Sequence, residues 1–299
     1  MAYFDFCIRP EDAPPQWTMP VLPLGKNSAL SPFLVLQSLQ ILAFHLFFFR
    51  LPTPFNYVAF LVYTVIIFNF LTLPTDAKTS NSLGRNIENL RRAGYSDHAL
   101  LGIMNFNLVS SQWMGFIVVN WICTDPKIYT LEYYAERMGS TSHMAAFSLG
   151  IVANLALAEV LFIVGHSFLH TNATLSPLHL LHHCNTHPSW CTNLLFHPLD
   201  LAIEFGLPAV GLFAVHFGVF HDQAILLITY LIFQLWYAYD HDECLNFYHC
   251  QHHRDCDSLY AIYIKLKGNP RRNVLRNKLM QLDKKYQWNL AWPKKMRKS

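Results

Sequence analysis

The chain has 299 residues, of which 53% are hydrophobic, 15% aromatic and only 14% charged. Soluble globular domains carry about 25% charged residues, so this composition argues against a soluble protein. The formal net charge is only +3, and we expect no nucleic-acid partner.

The N-terminal stretch "MAYFDFCIRPEDAPPQW" contains acidic residues and prolines and lacks a basic start followed by an apolar run. It therefore does not match a cleavable signal peptide, and we expect internal segments to direct membrane insertion. The seven cysteines form no CxxC pair, and an odd number gives no closed set of disulfides. We expect most of them to be reduced and to face the cytosol.

The apolar residues are concentrated in blocks whose lengths approach the roughly 20 residues that cross a bilayer. Residues 31–49 and 55–73 are separated by "RLPTP", in which two prolines end the first helix, and they form a predicted transmembrane hairpin. Residues 101–122 are apolar but are interrupted by asparagines and by a Ser-Ser-Gln run. This block is predicted either to span the membrane while packed on neighbouring helices or to lie at the interface.

Two further apolar regions follow along the chain. Residues 145–165 lead directly into His166, and residues 199–238 contain two apolar runs hinged near His221 and Asp222. The second region predicts another hairpin or a re-entrant pair. The complete pattern predicts an all-α integral membrane protein with about four to six transmembrane or re-entrant helices.

The basic residues favour one orientation in the membrane, because Lys and Arg near membrane ends favour the cytosolic side. If the N-terminus is cytosolic and every block spans, the outer connections hold only Arg50, Lys127 and Arg137 of the 22 basic residues. The same layout places residues 166–197 and 239–299 together on the cytosolic face, although they are far apart in sequence.

Histidines are concentrated in three short motifs on this predicted cytosolic face, "HSFLH", "HLLHH" and "HCQHH". On an α-helix, residues three and four positions apart lie on one face, so each motif would direct its imidazoles one way. The motifs contain eight histidines: His166, His170, His179, His182, His183, His249, His252 and His253. His241 is a ninth candidate ligand, and His197 in "LLFHPLD" is a further one.

A metal site explains why the imidazoles would gather. Without a metal they would leave crowded positive charge or unpaired nitrogens near a membrane surface, and both are costly. A metal ion accepts the nitrogen lone pairs, because neutral imidazole is the form that binds it. Zinc, copper, iron and nickel all suit such a site, and about eight to ten nitrogens suit two metals better than a single zinc. The sequence thus predicts a cytosolic histidine-rich metal-binding cap.

The remaining histidines are predicted to lie outside the metal site. His187 fits none of the three motifs. The isolated histidines are predicted to be solvated or hydrogen-bonded side chains: His45, His98, His143, His216 and His221.

In order and spacing, the motifs resemble those of the fatty acid hydroxylase and sterol desaturase superfamily of membrane oxygenases. "HSFLH" is followed after eight residues by "HLLHH", after thirteen more by "HPLD", and later by "HCQHH". The resemblance covers residues 145–268, which we assign as the histidine-box catalytic region. Residues 1–144 are then an N-terminal segment with a transmembrane hairpin and a third membrane helix, and residues 269–299 are a basic cytosolic tail.

The resemblance implies a di-iron centre at the cytosolic face of the endoplasmic reticulum membrane, with zinc able to occupy it in a purified sample. The eight motif histidines would be the metal ligands and catalytic residues, and His241 stands near the place of a further family histidine. O2 would be the co-substrate. A lipid within the membrane would be the substrate, and cytochrome b5 with an NAD(P)H-dependent reductase would supply electrons.

Two departures from the family pattern lie near the expected substrate side and predict an atypical member. The segment around His241 is "YDHDECLNFYHCQHH" instead of an "HSG"-like context, and "SLYAIY" replaces the usual "NYG" after the last motif. Acidic residues near the motifs are candidates to accept the second ring N–H of a ligand, with solvated or capping acids as the alternative. They are Asp200, Glu204, Asp240 and Asp242.

The predicted function is O2-dependent hydroxylation or desaturation of an apolar lipid, with a sterol or terpenoid preferred. Oxidation of an unactivated C–H bond needs an oxidant that no side chain provides, so a metal must supply it. Fatty-acyl or sphingolipid hydroxylation is the alternative within the family. A histidine-rich metal transporter is the alternative from another class and would place its ligands along a path at mid-membrane. A catalytically inactive scaffold that keeps the fold is the third alternative.

Overall fold

The architecture is helical in the part of the chain that the computed structural model describes, which is residues 32–74, 76, 81–185, 188–239, 241, 249, 252–253, 256 and 273–288. Within these ranges there is no β-strand, which confirms the all-α prediction. His187, Asp240, Asp242, "SLYAIY" and the tail after residue 288 lie outside the described residues.

The helices are numbered in chain order. They are α1 (Pro32–Leu46), α2 (Phe55–Leu61, continued by wider π-helical turns over Val62–Thr72), α3 (Asn81–Arg92), α4 (Asp97–Ile117, continued over Val118–Ile122), α5 (Leu131–Met138), α6 (Thr141–Thr171), α7 (Ser176–His183), α8 (Pro198–Phe220), α9 (Gln223–Tyr239) and α10 (Val274–Tyr286).

Among the helices in the described part of the chain, three are long and apolar enough to cross a membrane: α2, α6 and α8. The 31 residues of α6 extend over about 46 Å at 1.5 Å per residue, more than the roughly 30 Å of a hydrocarbon core. The apolar helices Val35–Arg50 and Gln223–Tyr239 are shorter. The composition of all three long helices supports a membrane protein, as the sequence predicts.

The interrupted block at residues 101–122 forms the continuous helix α4, which is not among the three long apolar helices. Some of its polar side chains are buried, namely Asn107, Ser111 and Gln112, whereas Ser110 is exposed. The Nδ2 atom of Asn107 donates to the carbonyl oxygens of Leu194 (2.8 Å) and Phe196 (2.9 Å). Asn107 therefore holds the segment that follows the "HLLHH" motif.

A tight turn joins α6 to α7 and brings the first two histidine motifs together. The side-chain oxygen of Asn172 accepts hydrogen bonds from the backbone N–H groups of Thr174 (2.8 Å) and Leu175 (3.2 Å). Pro177 lies in the first turn of α7, where its missing N–H removes no intrahelical bond. The local sequence thus reverses the chain within a few residues.

Glycines let α6 and α8 approach closely along antiparallel paths. A Cβ added to Gly165 would lie 2.8 Å from Cγ2 of Ile203 and 3.0 Å from Cδ1 of Leu207. At Gly211, an added Cβ would lie 3.0 Å from Cδ1 of Leu161. The close contact at Gly165 brings the start of α8 beside the end of α6, where His166 lies.

The connections at the other end of α6 interact with one another. The guanidinium of Arg50 lies 3.6 Å from the ring centroid of Tyr129, and Arg137 forms an ion pair with Asp222. Residues from all the predicted outer connections are therefore grouped at the end of the molecule opposite the histidine motifs.

Helix α10 covers the histidine end and belongs to the folded core. Leu275 and Leu279 are fully buried, and Nζ of Lys278 donates to the carbonyl oxygen of Ala173 (2.8 Å) and to Oγ of Ser176 (2.9 Å). Part of the predicted basic tail is thus a helix packed against α7.

Candidate metal centre

All nine histidines of the predicted metal site are buried, each with at most 1% of its surface exposed. Helix α6 supplies His166 and His170 from its last turns, one helical turn apart on the same face. Helix α7 supplies the "HLLHH" histidines. The other four, His241, His249, His252 and His253, come from the chain after α9.

The first group contains five histidines whose ring nitrogens lie within 4.8 Å of one another: His166, His170, His179, His183 and His252. The Nε2 atom of His170 lies 3.0 Å from those of His166 and His252 and 3.1 Å from that of His183. The Nε2 atom of His252 lies 2.9 Å from that of His166 and 3.1 Å from that of His183. Four Nε2 atoms therefore face one another across a small space.

This spacing fits a shared metal ion. Two nitrogens bound at about 2.1 Å and at right angles lie about 3.0 Å apart, whereas tetrahedral ligands at that bond length lie about 3.4 Å apart. The observed separations of 2.9–3.1 Å are near the first of these values, and they are also the separations of hydrogen-bonded ring nitrogens. Imidazoles this close together can present their nitrogens to one ion.

The second group contains four histidines, again with ring nitrogens within 4.8 Å of one another: His182, His241, His249 and His253. The ring centroids of His182 and His253 are 4.4 Å apart, and those of His241 and His249 are 4.5 Å apart. Neither ring nitrogen of His182 has a hydrogen-bond partner among the described residues. A buried imidazole with both nitrogens unpaired is unfavourable unless a ligand such as a metal ion occupies the space beside it.

The electrostatics keep these imidazoles in the metal-binding form. Burial lowers the pKa of His179 from 6.5 to about 4 and that of His241 to about 3. Burial, reinforced by neighbouring histidines, holds the pKa values of four others well below their usual range: His182, His183, His249 and His253. They are therefore neutral near pH 7, as a ligand imidazole must be.

Two residues form hydrogen-bond contacts with the outer nitrogens of first-group histidines and fix their orientation. Nδ1 of His179 lies 3.0 Å from both carboxylate oxygens of Asp200. Nδ1 of His183 lies 3.4 Å from Sγ of Cys256. When Nε2 binds a metal, Nδ1 carries the proton and donates it to such a partner.

Glu204 is a third acidic group at the site, and it is fully buried. Its Oε1 lies 3.1 Å from Nδ1 of His166 and 3.4 Å from Nε2 of His179, and its Oε2 lies 3.8 Å from Nε2 of His182. The predicted proximity of Asp200 and Glu204 to ligand histidines is thus present in the fold.

A buried polar network supports the loop that follows α7. Asn86 of α3 donates to Oδ1 of Asn185, whose Nδ2 donates to Oγ1 of Thr192. Asp76 accepts hydrogen bonds from Oγ of Ser189 (2.7 Å) and from the backbone N–H of Cys191 (3.1 Å). The N-terminal part of the chain therefore helps to position the "HLLHH" motif.

The structure does not bring His197 into either group. Its side chain is exposed, and its Nδ1 accepts a hydrogen bond from the backbone N–H of Leu199 (3.2 Å), which caps the start of α8. A nitrogen used as a helix cap in this exposed position does not point at the buried cluster. The structure therefore places His197 outside both histidine groups.

The isolated histidines also lie outside the two groups. His98, His143 and His221 are exposed. His45 and His216 are buried, and Nδ1 of His45 lies 2.7 Å from the carbonyl oxygen of Ile41.

Sequence reasoning missed Cys256 and Asn86. Cys256 follows His252 by four residues, a spacing that could have suggested proximity to the cluster. Nothing in the sequence connects Asn86 with Asn185, because the pair is 99 positions apart.

The fold and the site together define a helical protein with three helices able to span a membrane and with buried histidine groups that can hold metal. Comparisons with protein-family models, with curated proteins and with solved structures gave no match.

Proposed function

We propose that this protein is a membrane-bound oxidoreductase that uses O2 and two iron ions to hydroxylate or desaturate an apolar lipid. One observation carries the proposal, namely the convergence of nine buried histidines into two adjacent groups at the end of an apolar helix. Such a donor set serves two metals better than one. Iron bound there would supply the oxidising power for an unactivated C–H bond.

The number of histidines favours two metals with open positions over a structural zinc. A structural zinc site uses four ligands, whereas the two groups together hold nine histidines. Non-haem iron centres bind several protein ligands and keep open positions. Zinc still binds imidazole well, so a purified sample can carry it.

A small cavity of about 40 Å³ lies beside the second histidine group. Tyr237 lines it, and the ring centroids of Tyr237 and His241 are 5.6 Å apart. Most of the other lining residues are apolar, but Gln112 and Asn193 each present a buried side-chain oxygen without a hydrogen-bond partner among the described residues. The cavity has room for only a few water-sized groups, so it is too small to hold a lipid.

The substrate would be a sterol, a terpenoid or a similar compact lipid, with an acyl lipid as the alternative. The protein would lie in the endoplasmic reticulum membrane with its histidine end in the cytosol. Cytochrome b5 and an NAD(P)H-dependent reductase would supply electrons there.

Product analysis tests the proposal. Membranes that contain the protein, an intact electron-transfer system, NADPH and heavy-isotope O2 would be supplied with sterol and acyl precursors. Mass spectrometry is expected to find a lipid that has gained a labelled oxygen or lost two hydrogens. His182→Gln should abolish the product, whereas the matched control His197→Gln should retain it. Absence of both kinds of product in the wild type would overturn the proposal.

A further inference from the structure

Glu204 lies between the two histidine groups and approaches both. One carboxylate oxygen is 3.1 Å from Nδ1 of His166 and 3.4 Å from Nε2 of His179, which belong to the first group. The other oxygen is 3.8 Å from Nε2 of His182, which belongs to the second. No other acidic residue among the described ones joins these histidines in a similar way.

The contacts of Glu204 differ in kind from those of Asp200. Both oxygens of Asp200 lie 3.0 Å from Nδ1 of His179 in hydrogen-bonding geometry. Neither oxygen of Glu204 has a hydrogen-bond partner among the described residues, although ring nitrogens are near. Asp200 therefore orients one imidazole from outside. Glu204 contacts His166 at its outer nitrogen, but toward His179 and His182 its two oxygens lie beside Nε2 atoms, one in each histidine group.

The position of Glu204 is built into the helix packing. The absence of a side chain at Gly165 lets Ile203 and Leu207 pack against α6, and Glu204 lies between these two residues in the sequence. The carboxylate is fully buried, where an unpaired negative charge is strongly unfavourable. A positive ion in the adjoining space would neutralise it and accept its lone pairs.

We infer that Glu204 is a metal ligand shared by the two histidine groups, with one oxygen directed toward each. This inference rests on the proposed two-metal centre and adds a carboxylate to a donor set that is otherwise imidazole. Paired metals in proteins lie about 3.5–4 Å apart, a separation that the two oxygens of one carboxylate can span. Its charge would also offset part of the positive charge of two metal ions.

Metal content and magnetic coupling test the inference without measuring turnover. The full chain would be purified from cells grown on iron, and iron per chain would be measured together with Mössbauer and electron paramagnetic resonance spectra. The wild type is expected to hold about two coupled ions per chain. Glu204→Gln removes the charge at nearly constant volume and should lose at least half of the iron or the coupling signal. Glu159→Gln is the matched control, because Glu159 is also a buried glutamate but is not a member of either histidine group.

The outcomes separate this inference from the proposed function. If the wild type and Glu204→Gln hold equal iron with identical coupling, Glu204 is not a ligand and the proposed function stands. If the wild type binds no metal, both fail. Where Glu204→Gln does not fold, Glu204→Asp is used, which keeps a carboxylate shortened by one methylene. It is expected to retain iron with altered coupling, and a spectrum identical to the wild type would overturn the inference.

Discussion

At the residue scale, burial makes the histidine cluster sensitive to acid. The pKa of His179 is lowered from 6.5 to about 4 and that of His241 to about 3, so the unfolded chain binds protons below pH 6.5 that the folded chain does not. The free energy of unfolding therefore has its full value above pH 6.5 and decreases as the pH falls toward 4.

The thermal midpoint of metal-free, detergent-solubilised protein should be lower near pH 5 than near pH 7.5. His179→Asn should weaken this dependence, whereas His143→Asn, at an exposed site, should leave it unchanged; equal pH dependence in both variants would contradict the argument.

A second residue-scale prediction concerns Cys256, whose sulfur contacts Nδ1 of His183 at 3.4 Å. Removal of a group that orients a ligand typically weakens metal binding about 10–100-fold. Cys256→Ala should therefore lose metal to a competing chelator at lower chelator concentration than the wild type. Cys184→Ala provides the control, because Cys184 is a buried thiol directly after His183. Equal metal retention in the two variants would show that the sulfur contact does not support the site.

At the element scale, the site depends on the close approach of α6 and α8. A side chain at Gly165 would collide with Ile203 and Leu207, which flank Glu204. Gly165→Val should displace the start of α8 and lower both thermal stability and metal content. Gly218→Val adds the same side chain to α8 at a position where an added Cβ meets nothing within 4 Å, so it should keep the metal. Loss of metal in both variants to the same extent would show that the helix contact at Gly165 is not the cause.

At the scale of the whole molecule, the two ends of α6 should lie on opposite sides of the membrane. Met138→Asn creates an Asn-Gly-Ser glycosylation acceptor at the end that holds Arg137, and Met138 is 62% exposed. This variant should gain a glycan when it is made in endoplasmic reticulum membranes. The natural "NAT" acceptor at Asn172, at the histidine end, should remain unmodified. If the wild type carries a glycan that Asn172→Gln removes, the histidine end faces the lumen and the predicted orientation is wrong.

The sequence predicted the local parts of this arrangement because they follow from helical spacing. The motifs "HSFLH" and "HLLHH" place their imidazoles on single helix faces, and the buried histidines are found there. Contacts between distant segments could not be predicted in the same way. Periodicity indicates which face of a helix is apolar, but it does not identify the helix opposite, so the approach of Glu204 to both groups and the bond from Asn86 to Asn185 required the fold.

His197 shows a position at which one sequence pattern allows two interpretations. Its place in an "HP-acid" sequence made it a ligand candidate, yet the same sequence is a helix start, with a polar side chain before a proline in the first turn. The two interpretations differ in side-chain direction, which the sequence does not fix. Helix capping, with an exposed ring, is the outcome in the structure.

The metal content of the purified chain tests the central claim most directly, since the proposed function and the role of Glu204 both depend on two metal ions held by the two histidine groups. Elemental analysis of the wild type is expected to find about two ions per chain. His170→Gln and His253→Gln, one from each group, should each lower that number, and His197→Gln should not. A wild-type chain that carries no more metal than a variant combining His170→Gln with His253→Gln would contradict the account.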